Sequence, residues 1–276
     1  MKILALILGT GRELAAKATV YVLLAISTIV LLGVLVSVSS SSTAEGKTLM
    51  LFGNTVSPPS SDEMFSDIVS KMEATLAGGL FFGISLFGMF ATAGVITDAL
   101  DKGTVDLYLS KPIARWELLF GKYLGGVAVI LVNIVYFIGA LWLIVGMKTG
   151  VWNVSFLVAS VLMTFVFACL YAIVTYVGVV SRNTAIAIIG GFVYLFIVAE
   201  LLQSRERGLY LLGDNTFYRG AVDGLYYLLP QLPAMQATAF KYIGGNSLDW
   251  RPFAQSFLSA CGFFGLAAWT LEKTDF

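Results

Sequence analysis

The chain has 276 residues, 58% of them hydrophobic and 12% charged, against roughly 25% charged in an ordinary soluble domain; so few charges cannot clothe a globular surface, and lipid is the natural solvent. Lysine plus arginine and aspartate plus glutamate each number 17, so no positive excess points to nucleic acid. Histidine is absent, which removes His-metal sites, the HExxH zinc motif and every Ser-His or Cys-His nucleophile pair.

Taken in chain order, residues 1–17 predict an amphipathic helix on a membrane surface. Ile3, Leu4, Ile7 and Leu8 face lipid, and Lys2, Arg12, Glu13 and Lys17 face water. A plain extension of the first span differs from this only by a bend. Six apolar stretches follow, at 18–38, 74–97, 123–147, 151–181, 183–202 and 252–271, each near or above the ~20 residues a spanning helix needs. The first has a basic flank like a signal peptide, but its apolar run exceeds a signal core and no A-x-A site follows, so it reads as an uncleaved span. The fourth is longer than one crossing requires, so it tilts or starts in the interface. Cys169 and Cys261 both fall in apolar runs and read as small core hydrophobes rather than a disulfide. The fold class expected is an all-α integral membrane protein, with residues 1–276 forming a single transmembrane domain.

The connections differ sharply. Residues 39–73 are Ser-rich and acidic, with Pro58 and Pro59. The stretch 98–122 is short and highly charged. The longest, 203–251, holds Tyr226, Tyr227, Leu228, Leu229 and Pro230, then Leu232, Pro233 and Met235, which suits short helices at the membrane surface or dipping into it. Basic residues in short loops (Lys102, Lys111, Arg115, Lys122, Arg182) favour a cytoplasmic N-terminus. Both termini are then cytoplasmic, 39–73 and 203–251 are extracytoplasmic, and the chain belongs in the inner membrane of the cell.

Small residues mark close helix contacts. Gly79 and Gly83 stand at GxxxG spacing in the second span, ahead of Gly88 and Gly94, and allow close approach between helices of the chain, the preferred reading, or across a dimer. The fifth span carries Gly190 and Gly191. Ionisable residues are nearly absent from the spans; Glu200, near the end of the fifth, either snorkels to the interface or marks an intramembrane polar site.

The stretch 98–122 is the most informative. Asp98 to Ser110 predict a short helix with Leu100, Val105, Leu107 and Leu109 on its apolar side. Gly103 interrupts it at a cost of roughly 1 kcal/mol, which is useful where something approaches the backbone closely. Ser110 caps a following helix and Pro112 suits its first turn. The result is a helical elbow, either a docking surface for a partner's groove or an ordinary solvated hairpin.

This segment resembles the signature of the type-two class of ATP-binding-cassette (ABC) exporter permeases. Asp98 and Asp101 precede Gly103 and Thr104; then come Leu107 and Leu109, Ser110-Lys111-Pro112, Arg115 and Gly121-Lys122. Many members carry glutamate at the acidic position, where this chain has aspartate. Arg12-Glu13-Leu14 in the first helix, six spans, and Tyr-Tyr-Leu-Leu-Pro between the last two extend the likeness over nearly the whole chain. The resemblance implies a permease that pairs with a second copy, identical or related, above two ABC ATPase subunits. ATP and Mg then bind on the ATPase, with no cofactor held by this chain. It also implies that Asp98, Asp101, Gly103, Thr104, Leu107, Ser110, Lys111, Pro112, Arg115 and Lys122 form the ATPase-coupling elbow, and that Gly190 and Gly191 lie at the dimer seam.

The chain supplies no ATPase of its own. Gly46-Lys47-Thr48 ends like a phosphate loop, but Ser41 stands where its first glycine belongs. An ion-coupled secondary transporter would carry more intramembrane charge, an intramembrane enzyme lacks histidine, and a purely structural protein or membrane scaffold has no use for the charged elbow. The cargo is unmarked; an apolar, aromatic path suits a lipid, a hydrophobic peptide or a drug.

Overall fold

The computed structural model describes residues 2–43, 46–100, 114–211 and 215–273. Helix α1 (Lys2–Ala15) bends at Ala16–Lys17 into α2 (Ala18–Ser37), and α2 passes directly into a small antiparallel sheet, β1 (Val38–Thr43), β2 (Gly46–Leu51) and β3 (Asn54–Thr55). Long helices α3 (Asp62–Ala99), α4 (Arg115–Thr149) and α5 (Val154–Ser181) follow. The next span is composite: α6 (Thr184–Val193), a π-helical turn (Tyr194–Val198) and α7 (Ala199–Gln203). Two short helices, α8 (Thr216–Leu228) and α9 (Leu232–Ile243), lead to α10 (Arg251–Lys273). Among the described residues six helices are long and apolar enough to cross a membrane: α2, α3, α4, α5, the composite α6–α7, and α10. The protein is an all-α integral membrane protein with a small sheet at one end.

Several boundaries depart from the sequence expectation. The 38 residues of α3 make a rod about 57 Å long at 1.5 Å per residue, far beyond the ~30 Å hydrocarbon core. It starts at Asp62, so the last third of the expected 39–73 connection is helix. The first half is the sheet, which its serine-rich sequence concealed: a serine run has no apolar alternation to announce a strand. Leu51 pairs with Asn54 across Phe52 and Gly53, both at positive φ, as a two-residue hairpin turn demands. The Ser40 hydroxyl donates to the Lys148 carbonyl at 2.6 Å, fixing the sheet to the end of α4. Gly46-Lys47-Thr48 lies on β2, and the Thr48 hydroxyl donates to the Ser41 carbonyl. That is a strand, not the loop before a helix that cradles phosphate.

Helix α5 is the hub. It carries no charged residue, and helices α3, α4, α6, α9 and α10 all pack on it, which is why it is apolar all round. Its turns are set locally. Gly150 ends α4 in the left-handed conformation, and the Asn153 side chain accepts from the Ser155 N–H to cap α5. Arg182 takes the same left-handed conformation at the other end, followed by Asn183 capping α6. Tyr171, fully buried, donates its hydroxyl to the Thr92 carbonyl at 2.9 Å. Cys169 is buried as expected; Cys261 is exposed on α10, and both are free thiols. Cys261 therefore lies outside the core, a correction to its reading as a core hydrophobe.

At the sheet end the Asn153 amide also donates to the Glu73 carboxyl and to the Ile243 carbonyl, each at 3.0 Å. One side chain thus joins α3, the start of α5 and the end of α9. Glu73 is fully buried; its position just before the second apolar stretch did not single it out in the sequence. Asn153→Ala removes a helix cap and strips a buried carboxyl of its donor, and it should lower stability by roughly 2–4 kcal/mol. Asn183→Ala removes only an exposed cap and should cost about 1 kcal/mol. Thermal or SDS denaturation of the two variants in detergent tests this ordering.

Candidate functional site

The two limbs of the 98–122 segment converge at the α1 end of the bundle. Asp101, Gly103, Thr104, Leu107, Ser110, Lys111 and Pro112 lie outside the described residues; Asp98, Arg115 and Lys122 lie within them. Asp98 sits in the last turn of α3, and its carboxylate meets the Lys17 ammonium at 2.7 Å. Arg115 opens α4 and donates from its guanidinium to the Leu271 carbonyl at 3.1 Å. A cation among the last carbonyls of α10 is favourably placed against that helix's dipole. The Glu117 carboxylate accepts from the Ala114 N–H at 3.0 Å, so the chain enters α4 through a capped turn.

Lys122 is the unexpected member. Its side chain is 3% exposed, and its ammonium bonds the Glu13 carboxylate of α1. Burying an ammonium is costly unless a counter-charge accompanies it, so α1 is obliged to be present. Glycine makes the approach close enough: a Cβ at Gly121 would come within 2.5 Å of the Leu6 side chain, and one at Gly125 within 2.5 Å of Thr10. Glu13 and Lys17 therefore do not simply face water, as the amphipathic reading has it. Both are half-buried; Leu14 and Thr10 beside them are buried, while Leu4 and Leu8 keep the expected outward face. The signal was present in the sequence, since Gly121 and Gly125 stand at GxxxG spacing.

At the same end, the hydroxyls of Thr97 and Thr184 bond to each other, linking the foot of α3 to the start of α6. A frame thus holds the two roots of the elbow: α3 by Lys17 and Thr184, α4 by Glu13 and the end of α10.

The other singled-out residues lie elsewhere. A Cβ at Gly79 or Gly83 would meet nothing within 4 Å among the described residues, which corrects the in-chain packing preferred for that pair. Gly78, close against the Phe240 ring, and Gly88, against Phe167 and Ile130, perform that role. Gly190 faces Val177, and Gly191 faces Val174 and Met89. In this chain the two seat α6 on α5 and α3. Glu200 lies far from the elbow, at the sheet end of the composite span.

Residues 13–276 match the family model described as ABC-2 family transporter protein. The chain belongs to the ABC-2 transporter family. The match starts at Glu13 and takes in both limbs of the elbow. No curated protein sequence matches the chain. An ABC-2 chain is a permease component of an ABC transporter, a multi-pass membrane subunit rather than the ATPase, and the family implies an ABC ATPase partner in general.

The Glu13–Lys122 pair yields an asymmetric prediction. Glu13→Ala withdraws a carboxylate from a buried ammonium and should destabilise on the scale of a broken buried pair, roughly 3–5 kcal/mol. Lys122→Met removes the charge itself and should cost clearly less. Asp98→Asn breaks an exposed pair and should cost at most about 1 kcal/mol. Denaturation midpoints of the three purified variants test the order.

Proposed function

We propose that this ABC-2 permease is the membrane-spanning half of an ATP-driven exporter, coupled to a separate ATPase through the elbow between α3 and α4. Both termini and the elbow are cytoplasmic, and the sheet and α8–α9 are extracytoplasmic. The observation that carries the reading is the frame at the elbow's base, where Lys17–Asp98, Glu13–Lys122 and Arg115–Leu271 tie both limbs to α1 and α10. A loop whose roots are fixed this way transmits a push instead of absorbing it. Displacement of the elbow by a closing ATPase moves α3, α4 and α1 together, and α4 bears directly on the hub α5. ATP binding then shifts the population of permease states by differential binding to one of them. A second permease copy completes the path in the inner membrane. The exposed apolar face of α6, with Ile186, Ile189 and Phe192, and the open glycine face of α3 support such pairing. ATP and Mg reside on the ATPase, and no residue of this chain is asked to hold them.

Gly103→Trp and Arg115→Ala, co-expressed with the cognate ATPase, should insert normally into the membrane yet lose ATPase co-purification or transport. Wild-type behaviour in both variants would remove the elbow from the mechanism. The chain purified alone should show no ATP turnover. For topology, cysteine tags at Ser42 and Lys273 should label from opposite sides of the membrane; labelling from one side refutes the arrangement.

A further inference from the structure

The fifth span carries a departure from the α-helix that leads to a second site. In the π-turn the Ala199 N–H bonds the Tyr194 carbonyl, five residues earlier. Such a turn holds one extra residue and rotates everything after it by about 100°, one residue's share of a 3.6-residue turn. In an unbroken α-helix Glu200 would lie opposite the buried Gly191. The extra residue swings it toward α3 and α9.

There Glu200 borders a narrow space of about 60 Å³ between the three elements, walled by Phe81, Phe82, Phe196 and Leu232. Ser85 and Gln236 also line it. Ser85 is fully buried, and its hydroxyl has no hydrogen-bond partner among the described residues, a condition folded chains avoid unless a ligand or water supplies the bond. Phe82 and Phe196 meet edge to face with centroids 5.0 Å apart. The space is less than half the ~150 Å³ that admits a benzene ring, so it takes a small group only.

On its other side Glu200 borders a larger space of about 500 Å³ lined by Gln203, Ser204, Glu206 and Arg207. Arg205, on the same rim, is committed elsewhere: it donates to Asp223 at 2.8 Å and stacks over Tyr226 at 3.7 Å. Asp223 is held below the usual carboxylate range by the Tyr210 hydroxyl first and Arg205 second. Glu206 and Arg207 are adjacent and opposite in sign. The Glu200 carboxylate, at the junction of both spaces, enters none of the ion pairs among the described residues.

We propose that this junction binds a primary ammonium group carried on a polar body. The ammonium enters the narrow space, where the Glu200 carboxylate, the Ser85 hydroxyl and the Gln236 amide oxygen offer acceptors for its three N–H donors. The phenylalanine rings supply the electron-rich walls that favour a cation. The polar body occupies the larger space. A trimethylammonium, bulkier and without N–H donors, is excluded by both size and chemistry. The shared ligand chemistry has two sources, a free polar amine or a phospholipid headgroup of the ethanolamine type. The site goes beyond the permease reading, since nothing in it depends on ATPase association, so failure of one leaves the other standing.

The test uses the full chain in nanodiscs of choline lipid. Calorimetric titration with 1,4-diaminobutane, tetramethylammonium and 1,4-butanediol forms the soluble arm. Native mass spectrometry with ethanolamine-headgroup against choline-headgroup lipid forms the other. At least tenfold preference for the amine in either arm is expected, and the arm that shows it identifies the source. Glu200→Gln should lose that tenfold and Ser85→Ala about threefold, with unchanged helical content and melting temperature. Equal binding of amine and tetramethylammonium, competition by sodium at matched concentration, or an amine preference that survives Glu200→Gln would each overturn the proposal.

Discussion

A lysine ammonium buried at the foot of a membrane helix sets the terms for this end of the molecule. Lys122 cannot sit there without a counter-charge, and the counter-charge comes from Glu13 on a different helix. To deliver it, α1 must lie against α4 at a distance that only glycine permits, at Gly121 and Gly125. Once α1 is seated, the chain turns at Lys17, and that residue falls beside Asp98 at the end of α3. One desolvated charge therefore decides where the first helix lies and how both roots of the elbow are tethered. The exposed pair adds little energy of its own; its value is positional.

The opposite end is organised differently. There the Asn153 amide spans Glu73 and Ile243, Ser40 fastens the sheet to α4, and the ion pairs Lys47–Asp62 and Arg205–Asp223 are more exposed than Lys122. Between the two ends runs α5, apolar on every side and touched by helices all round it. A hub of this kind resists independent movement of its neighbours, because close-packed interiors transmit displacement rather than absorb it. The composite span is the exception: its π-turn relaxes the helical register beside α5 and re-aims the residues beyond it. The rigid frame at one end and the re-aimed carboxylate at the other thus lie at opposite ends of the same bundle.

The spans were legible because membrane solvation acts on local composition. A run of apolar residues long enough to cross lipid has few alternatives to a helix, and each predicted stretch coincides with one. The caps Asn153 and Asn183 also act locally, on N–H groups two or three residues away, although neither was singled out in the sequence. The charged elbow and its likeness to ABC-2 permeases were carried by residue types in order along the chain. What stayed hidden depends on partners far apart in sequence. Gly79 and Gly83 share their spacing with Gly121 and Gly125, yet among the described residues only the second pair meets a neighbour. The serine run of β1 had no alternation to reveal it, and Glu73 gave no sign of burial.

The sequence by itself determined the solvent, the class of fold, the approximate spans and the family, because these follow from composition and local order. The tertiary structure decided which charges pair, which glycines are contacts, and where Glu200 points. Those outcomes rest on distances between residues such as Glu13 and Lys122, and on one extra residue in a helical turn. Neither a long-range distance nor a change of helical register is encoded in any short stretch of chain.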